Sequence, residues 1–159
     1  MTWRSSTTVP ERIFACLPYL LPLIEGLAFG QYLFRTLPAF QVILLPLLPI
    51  LKLYSSIPFA GLIVFFALFF LVVRNEQIIH FIRFNTMQAI LLDIVVILCS
   101  LILSVLGPVL QSSNFILETL FNMVFLGLMA AVVYSVVQSL LGRYAEIPAL
   151  SDAVYMQLR

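Results

Sequence analysis

Two acids, Glu25 and Asp93, stand inside apolar runs long enough to cross a bilayer. At such depth an acid costs about 2.5–3.5 kcal/mol on insertion scales. Each is therefore expected to be protonated, paired with a neighbouring helix or bordered by water. Asp93 lies near the end of RFNTMQAILLDI, residues 83–94, which also carries Arg83, Asn85, Thr86 and Gln88. On a helix Thr86, Asp93, Ser100 and Ser104 share one direction to within about 20°. Such a stripe is expected to face protein or water rather than lipid. It serves either to pack helices, with hydroxyls bonding across the seam, or to wall a hydrated cavity. Asp93 is expected to find a donor, with Asn122 or a nearby backbone group as the candidate. Asn85 and Gln88 are three residues apart and so are helical neighbours. Gln88 points about 140° away from Asp93. With Arg83 the two amides form a candidate contact surface for a partner or a passing chain.

Other chemistry finds no residues to carry it. The sequence shows no nucleophile–base motif, no glycine-rich phosphate loop and no cluster of metal ligands around its single histidine, His80. Glu25 lies about 12 residues into its run and Asp93 about 7 into its own, a depth mismatch of roughly 8 Å that argues against a direct dyad. Cys16 and Cys99 sit in apolar runs and read as packing residues. No catalytic residue, cofactor or metal is expected. A net charge of +1 gives no basic surface for nucleic acid.

The elements that must hold these residues are transmembrane. Of 159 residues 63% are hydrophobic and 9% charged, against about 25% charged in soluble domains. A span needs about 20 apolar residues, and four candidates appear, at 13–34, 57–73, 86–110 and 115–141. The fold expected is an all-α polytopic bundle over 13–142, with a polar tail at 1–12 and another at 143–159. Pro38, Pro46 and Pro49 interrupt residues 37–56, and proline is costly inside a helix. That segment is read as interfacial or re-entrant, with a fifth span as the rival. Residues 76–84 form an amphipathic surface helix, with Glu76, His80 and Arg83 on one wet face. In the last span Gly127, Ala131, Ser135 and Ser139 recur every four residues, a ridge for close packing. Gly26 and Gly30 do the same in the first.

Arginine placement supports four crossings. They put Arg4, Arg12, Arg74, Arg83, Arg143 and Arg159 on one side, and only Arg35 and Lys52 on the other. The positive-inside rule then puts both termini on the cytosolic side or its organellar equivalent. The N-terminal residues lack the h-region and cleavage site of a secretory signal. They are also too few for a transit peptide, which points to a chain encoded where it is used.

Four stretches carry a family likeness: CLPYLLPLIEGLAFGQYLF (16–34), PLLPILKLYSSIPF (46–59), VVRN (72–75) and RFNTMQAILLDI (83–94). With them the chain resembles the family of the twenty-kilodalton subunit of the translocon at the inner chloroplast envelope. Beyond residue 94 the likeness is one of hydropathy. The resemblance implies four membrane helices with stromal or cytosolic termini, in the plastid inner envelope or the cyanobacterial plasma membrane. It also implies a part in moving preproteins, with other translocon subunits and the preprotein cargo as partners. Four spans enclose little lumen, so a polypeptide would need a homo-oligomer or a shared interface to pass. The alternative is a small structural or assembly protein of a membrane complex, without a pore of its own. A solute carrier or ion channel fits the acids but lacks repeat symmetry.

Overall fold

The computed structural model describes residues 7–158, so Arg4 and Arg159 of the charge count lie outside the described residues. Within that range the chain is helical and contains no strand. It is an all-α polytopic membrane protein. Six helical segments follow one another: α1 (Val9–Thr36), α2 (Ala39–Ser56), α3 (Ala60–Val73), α4 (His80–Leu110), α5 (Asn114–Leu140) and α6 (Leu150–Gln157). By length and composition α1, α2, α4 and α5 are long and apolar enough to cross a membrane.

Local sequence explains how each helix begins, bends and stops. Glu11 reaches back to accept the Thr8 backbone N–H at 2.7 Å, closing the start of α1, where Pro10 fits the first turn. Further along, α1 tightens into 3-10 turns at Leu17–Tyr19 and Leu27–Gly30. The first of these carries Pro18, whose missing N–H and ring bulk disturb a regular α turn. Gly26 and Gly30 do pack as their spacing implied. A side chain at Gly26 would overlap Leu128 of α5, and one at Gly30 would come within 2.9 Å of Phe125. Gly142 stops α5 at φ +74°, and Thr7 and Arg12 close over it.

The middle of the chain differs from the arrangement expected for it. Residues 37–56 form a nearly continuous helix, because a 3-10 turn at Leu45–Leu47 absorbs Pro46. Its apolar window is unburied by the rest of the chain. Residues 57–73, taken in the sequence reading as a span, hold only the 14 positions of α3. At 1.5 Å rise that is about 21 Å, short of the ~30 Å hydrocarbon core. Ile57 is extended ahead of Pro58, and Phe59 is left-handed, which separates the two helices. The Tyr54 hydroxyl donates to Glu25 in the middle of α1. The end of α3 meets the start of α4, where Arg83 Nε donates to the Val73 carbonyl at 2.9 Å. Together α2 and α3 return the chain from the Thr36 end of α1 to its Val9 end.

Helix α4 is the central element. Residues 80–84, expected as a separate surface helix, are its first turns. It packs on α1, α3, α5 and α6. One apolar cluster, with Tyr19, Phe29, Leu92, Val96, Phe125 and Leu128, joins α1, α4 and α5. A second, with Val73, Phe84, Met87, Ile90, Val154 and Leu158, joins α3, α4 and α6. The two described chain ends gather at one end of the bundle, where Arg12 donates to the Leu140 carbonyl at 3.4 Å. This is called the termini end below.

Candidate functional site

The polar residues divide into two groups. The first lies in the termini half, where Asn85 and Gln88 of α4 are both 0% exposed. The 3-10 turn in α1 sets Tyr19 against them. Its hydroxyl donates to Asn85 Oδ1 at 2.8 Å and accepts from Gln88 Nε2 at 3.1 Å. Asn85 Oδ1 also accepts Ser139 of α5 at 2.9 Å, and its Nδ2 donates to the Phe81 carbonyl at 2.9 Å. Gln88 Nε2 donates to the Ala145 carbonyl at 2.8 Å and lies 3.4 Å from Ser135 Oγ. Gln88 Oε1 accepts Ser151 of α6 at 3.2 Å, and Ser151 Oγ accepts the Ile147 N–H at 2.6 Å. Both amides thus spend their capacity inside the protein. One connected network ties α1, α4, α5, α6 and the connection before α6.

This placement corrects the expectation of a contact surface at Asn85 and Gln88. On that side of α4 stand α1, α5 and the C-terminal segment. Arg83 is half-buried and holds Val73. The network also contains residues the sequence reading did not single out as polar sites: Tyr19, Ser135, Ser139 and Ser151. The two α5 serines were visible as a packing ridge. Nothing local marked Tyr19 or Ser151, because their partners lie 63 to 69 residues away in sequence. Above the network His80 pairs with the Tyr144 hydroxyl at 3.0 Å, and Phe84 meets the Tyr144 ring edge-on at 4.9 Å. The face expected to be wet is thus partly covered by the C-terminal segment.

The second group lies further from the termini. Glu25 is half-buried and accepts the Tyr54 hydroxyl. Asp93 is 2% exposed, and its Oδ1 has no hydrogen-bond partner. No hydrogen bond joins the two carboxylates among the described residues. Asn122 is half-buried with an unpartnered Oδ1 of its own, and among the described residues no hydrogen bond joins it to Asp93, for which it was the expected donor. The α4–α5 turn explains the mismatch. Pairings such as Gln88 with Ser135 fix an antiparallel register in which Asp93 faces residues near 131. Asn122 is then about nine residues, roughly 13 Å, further along α5.

The stripe on α4 is also split. Thr86 is buried, donating to the Ile82 carbonyl at 2.8 Å, and Asp93 is buried. Ser100 and Ser104 are exposed, and Ser104 satisfies its hydroxyl on the Leu101 carbonyl at 2.7 Å. They do not face the bundle as expected. Helix α3, which covers the Thr86 level, stops at the level of Glu25, and α2 does not cover the rest. Among the described residues no three His, Cys, Asp or Glu side chains are grouped to hold a metal ion.

A family model described as "Chloroplast import apparatus Tic20-like" matches residues 4–154. A "Tic20 family protein" of Synechocystis sp. is 47% identical over 100% of this chain and 99% of its own length. "Tic20 family protein Ycf60" of Porphyra purpurea is 39% identical over 99% of this chain and 80% of its own. "Protein TIC 20-II, chloroplastic" of Arabidopsis thaliana is 36% identical over 99% of this chain and 78% of its own.

Proposed function

We propose a function from one premise: the chain belongs to the Tic20-like family of the chloroplast import apparatus. Its role is translocon-related, in an integral membrane protein. The finer reading is that it forms one wall of a path for preproteins and helps to gate it, together with other translocon subunits. The observation that carries this reading is the contrast between a filled interior and bare outer faces. Tyr19, Phe29, Leu92, Val96, Phe125 and Leu128 fill the space between α1, α4 and α5. A polypeptide moving beside this subunit would therefore travel along its outside, at an interface with a partner or a second copy. The α2 helix and the Ser100–Ser104 face of α4 are the surfaces left for that.

The same filled interior favours a second reading, a structural or assembly subunit with no contact to cargo. The arginine distribution supports stromal or cytosolic termini under both readings. So does the meeting of residues 7–12 with Leu140 and Gly142 at one end. The membrane proposed is the cyanobacterial plasma membrane or the plastid inner envelope.

Site-specific photo-crosslinking to an arrested preprotein tests the choice. Probes at positions 43, 53, 100 and 104 should capture cargo, and probes at buried positions 89 and 92 should not. Cargo adducts from none of the four, in an assembled and transporting complex, would leave the assembly reading in place. Impermeant thiol labelling of single cysteines at 8 and 150 should mark both from the stromal or cytosolic face. Labelling from opposite faces would defeat the topology.

A further inference from the structure

An apolar cleft of about 650 Å³ lies between α1, the end of α2, α3 and the start of α4. Its wall includes Leu17, Leu21, Leu53, Val64, Leu68 and Ile82. Two hydroxyls reach it, and both are committed elsewhere, Tyr54 to Glu25 and Thr86 to the Ile82 carbonyl. The cleft therefore offers an occupant methyl and methylene contacts and no hydrogen bond along its length. Glu25 and Asp93 do not line it. A basic or strongly polar group would find nothing to bind there.

Its termini end is different. Val72 and Ile82 line that end. Arg74 follows Val72 by two residues, and Arg83 follows Ile82 directly. The Arg83 bond to the Val73 carbonyl brings the two stretches together. Among the described residues neither arginine has a carboxylate partner. Glu76, in the same connection, is exposed and is not paired with either. Two uncompensated cations thus stand where an apolar cleft meets the membrane surface. Basic residues at that level attract anionic headgroups, and basic sites between membrane helices hold them.

The geometry points to a bound anionic lipid, with its acyl chains in the α1–α3–α4 cleft and its phosphate or sulfonate headgroup on Arg74 and Arg83. The site does not depend on the translocon role. A lipid there fills the gap beside α3, which reaches only partway along α4. It would hold α3 against the bundle with the charge sign of the leaflet at the termini side.

Native mass spectrometry of the full chain, delipidated in detergent, tests this. The chain is offered phosphatidylglycerol, phosphatidylcholine of the same acyl chains, or inorganic phosphate. One phosphatidylglycerol should be retained in preference to phosphatidylcholine, and inorganic phosphate should not displace it. Among the described residues the Arg74 side chain makes no hydrogen bond or ion pair, so Arg74→Gln should leave folding intact and weaken retention about fivefold. Adding Arg83→Gln should bring the loss to about thirtyfold. Val64→Trp, which fills the cleft, should remove the lipid adduct while the protein still elutes as a folded species. Equal retention of the two lipids, or no change on Arg74→Gln, would overturn the proposal. So would displacement by inorganic phosphate, which marks a site for the headgroup alone. A photoreactive group at position 64 that joins a second copy of the chain, rather than lipid, would show a helix as the occupant and overturn it too.

Discussion

The termini half of the bundle and the opposite half are built from the same helices but by different means. In the termini half, Asn85 and Gln88 connect α1, α5 and α6 through side-chain hydrogen bonds, and residues 84–90 of α4 are buried. Beyond Val96 only Leu103 of α4 is buried, while Ile97, Leu98, Leu101, Ile102, Val105 and Val109 are exposed. Apolar surface in a bilayer gains little by leaving lipid for another helix. Association there relies on close packing and interhelical hydrogen bonds. The half that holds polar groups is therefore closed within one chain. The other half is left for lipid or for other chains.

Breaking the network should have the largest effect of any change in the protein. In Gln88→Leu the Tyr19 hydroxyl loses a donor, the Ala145 carbonyl is orphaned, and Ser151 loses its hold. At about 0.6 kcal/mol for a typical interhelical bond in a membrane protein and 1–2 kcal/mol in model peptides, the loss should be about 2–3 kcal/mol. Thermal unfolding in detergent should show a clear drop, with faster proteolysis of the C-terminal segment. Asn85→Leu should behave similarly. If either variant melts like the parent, the two halves do not differ in the way described.

That expectation reverses what the sequence implied for these residues, and the reason is physical. Period and composition revealed α1, α4 and α5 as long apolar helices, though not the division of residues 37–73 between α2 and α3. What stands opposite Gln88 depends on Tyr19, Ala145 and Ser151, each at least 57 residues away, and no local pattern encodes that pairing. The fate of Ser100 and Ser104 turned on where α3 stops. The prolines in residues 37–56 suggested a break, while a 3-10 turn lets the helix continue through Pro46.

Asp93 lies at the boundary between the halves and sharpens the comparison. A buried carboxylate oxygen without a partner is costly, whereas an apolar group of similar size is not. Asp93→Leu is therefore expected to leave thermal stability unchanged or raise it by about 1 kcal/mol. A fall in preprotein transport in the same variant would assign Asp93 a working role. A marked loss of stability would mean that the acid has a partner holding the bundle.

Removing the link between Glu25 and α2 should matter less. Tyr54→Phe deletes one hydrogen bond, about 0.5–1.5 kcal/mol, and leaves Glu25 without that donor. Because α2 is otherwise unburied, the loss should appear locally. A cysteine at position 55 should be alkylated faster, while global melting stays close to the parent. A large drop in melting temperature would show that α2 belongs to the closed half of the protein.

The smallest effect on stability is expected on the open half, and there the comparison is most exposed to refutation. Ser100 and Ser104 face outward, and the Ser104 hydroxyl bonds only within its own helix. A side chain added at Gly127 would meet nothing within 4 Å. Substitutions away from buried contacts usually stay within about 0.5 kcal/mol, so Ser100→Leu, Ser104→Leu and Gly127→Leu should each melt like the parent in detergent. Leucine at these positions does, however, change the shape and polarity of a face that a partner or cargo would touch. Ser100→Leu/Ser104→Leu should therefore lower transport or complex recovery, while Gly127→Leu on α5 reports whether that second face is shared. Normal stability with impaired assembly would confirm that the open half is an interface. Normal stability with normal assembly and transport for all three would make it a lipid-facing surface. Impaired stability would mean that the half described as open is closed by contacts within the chain.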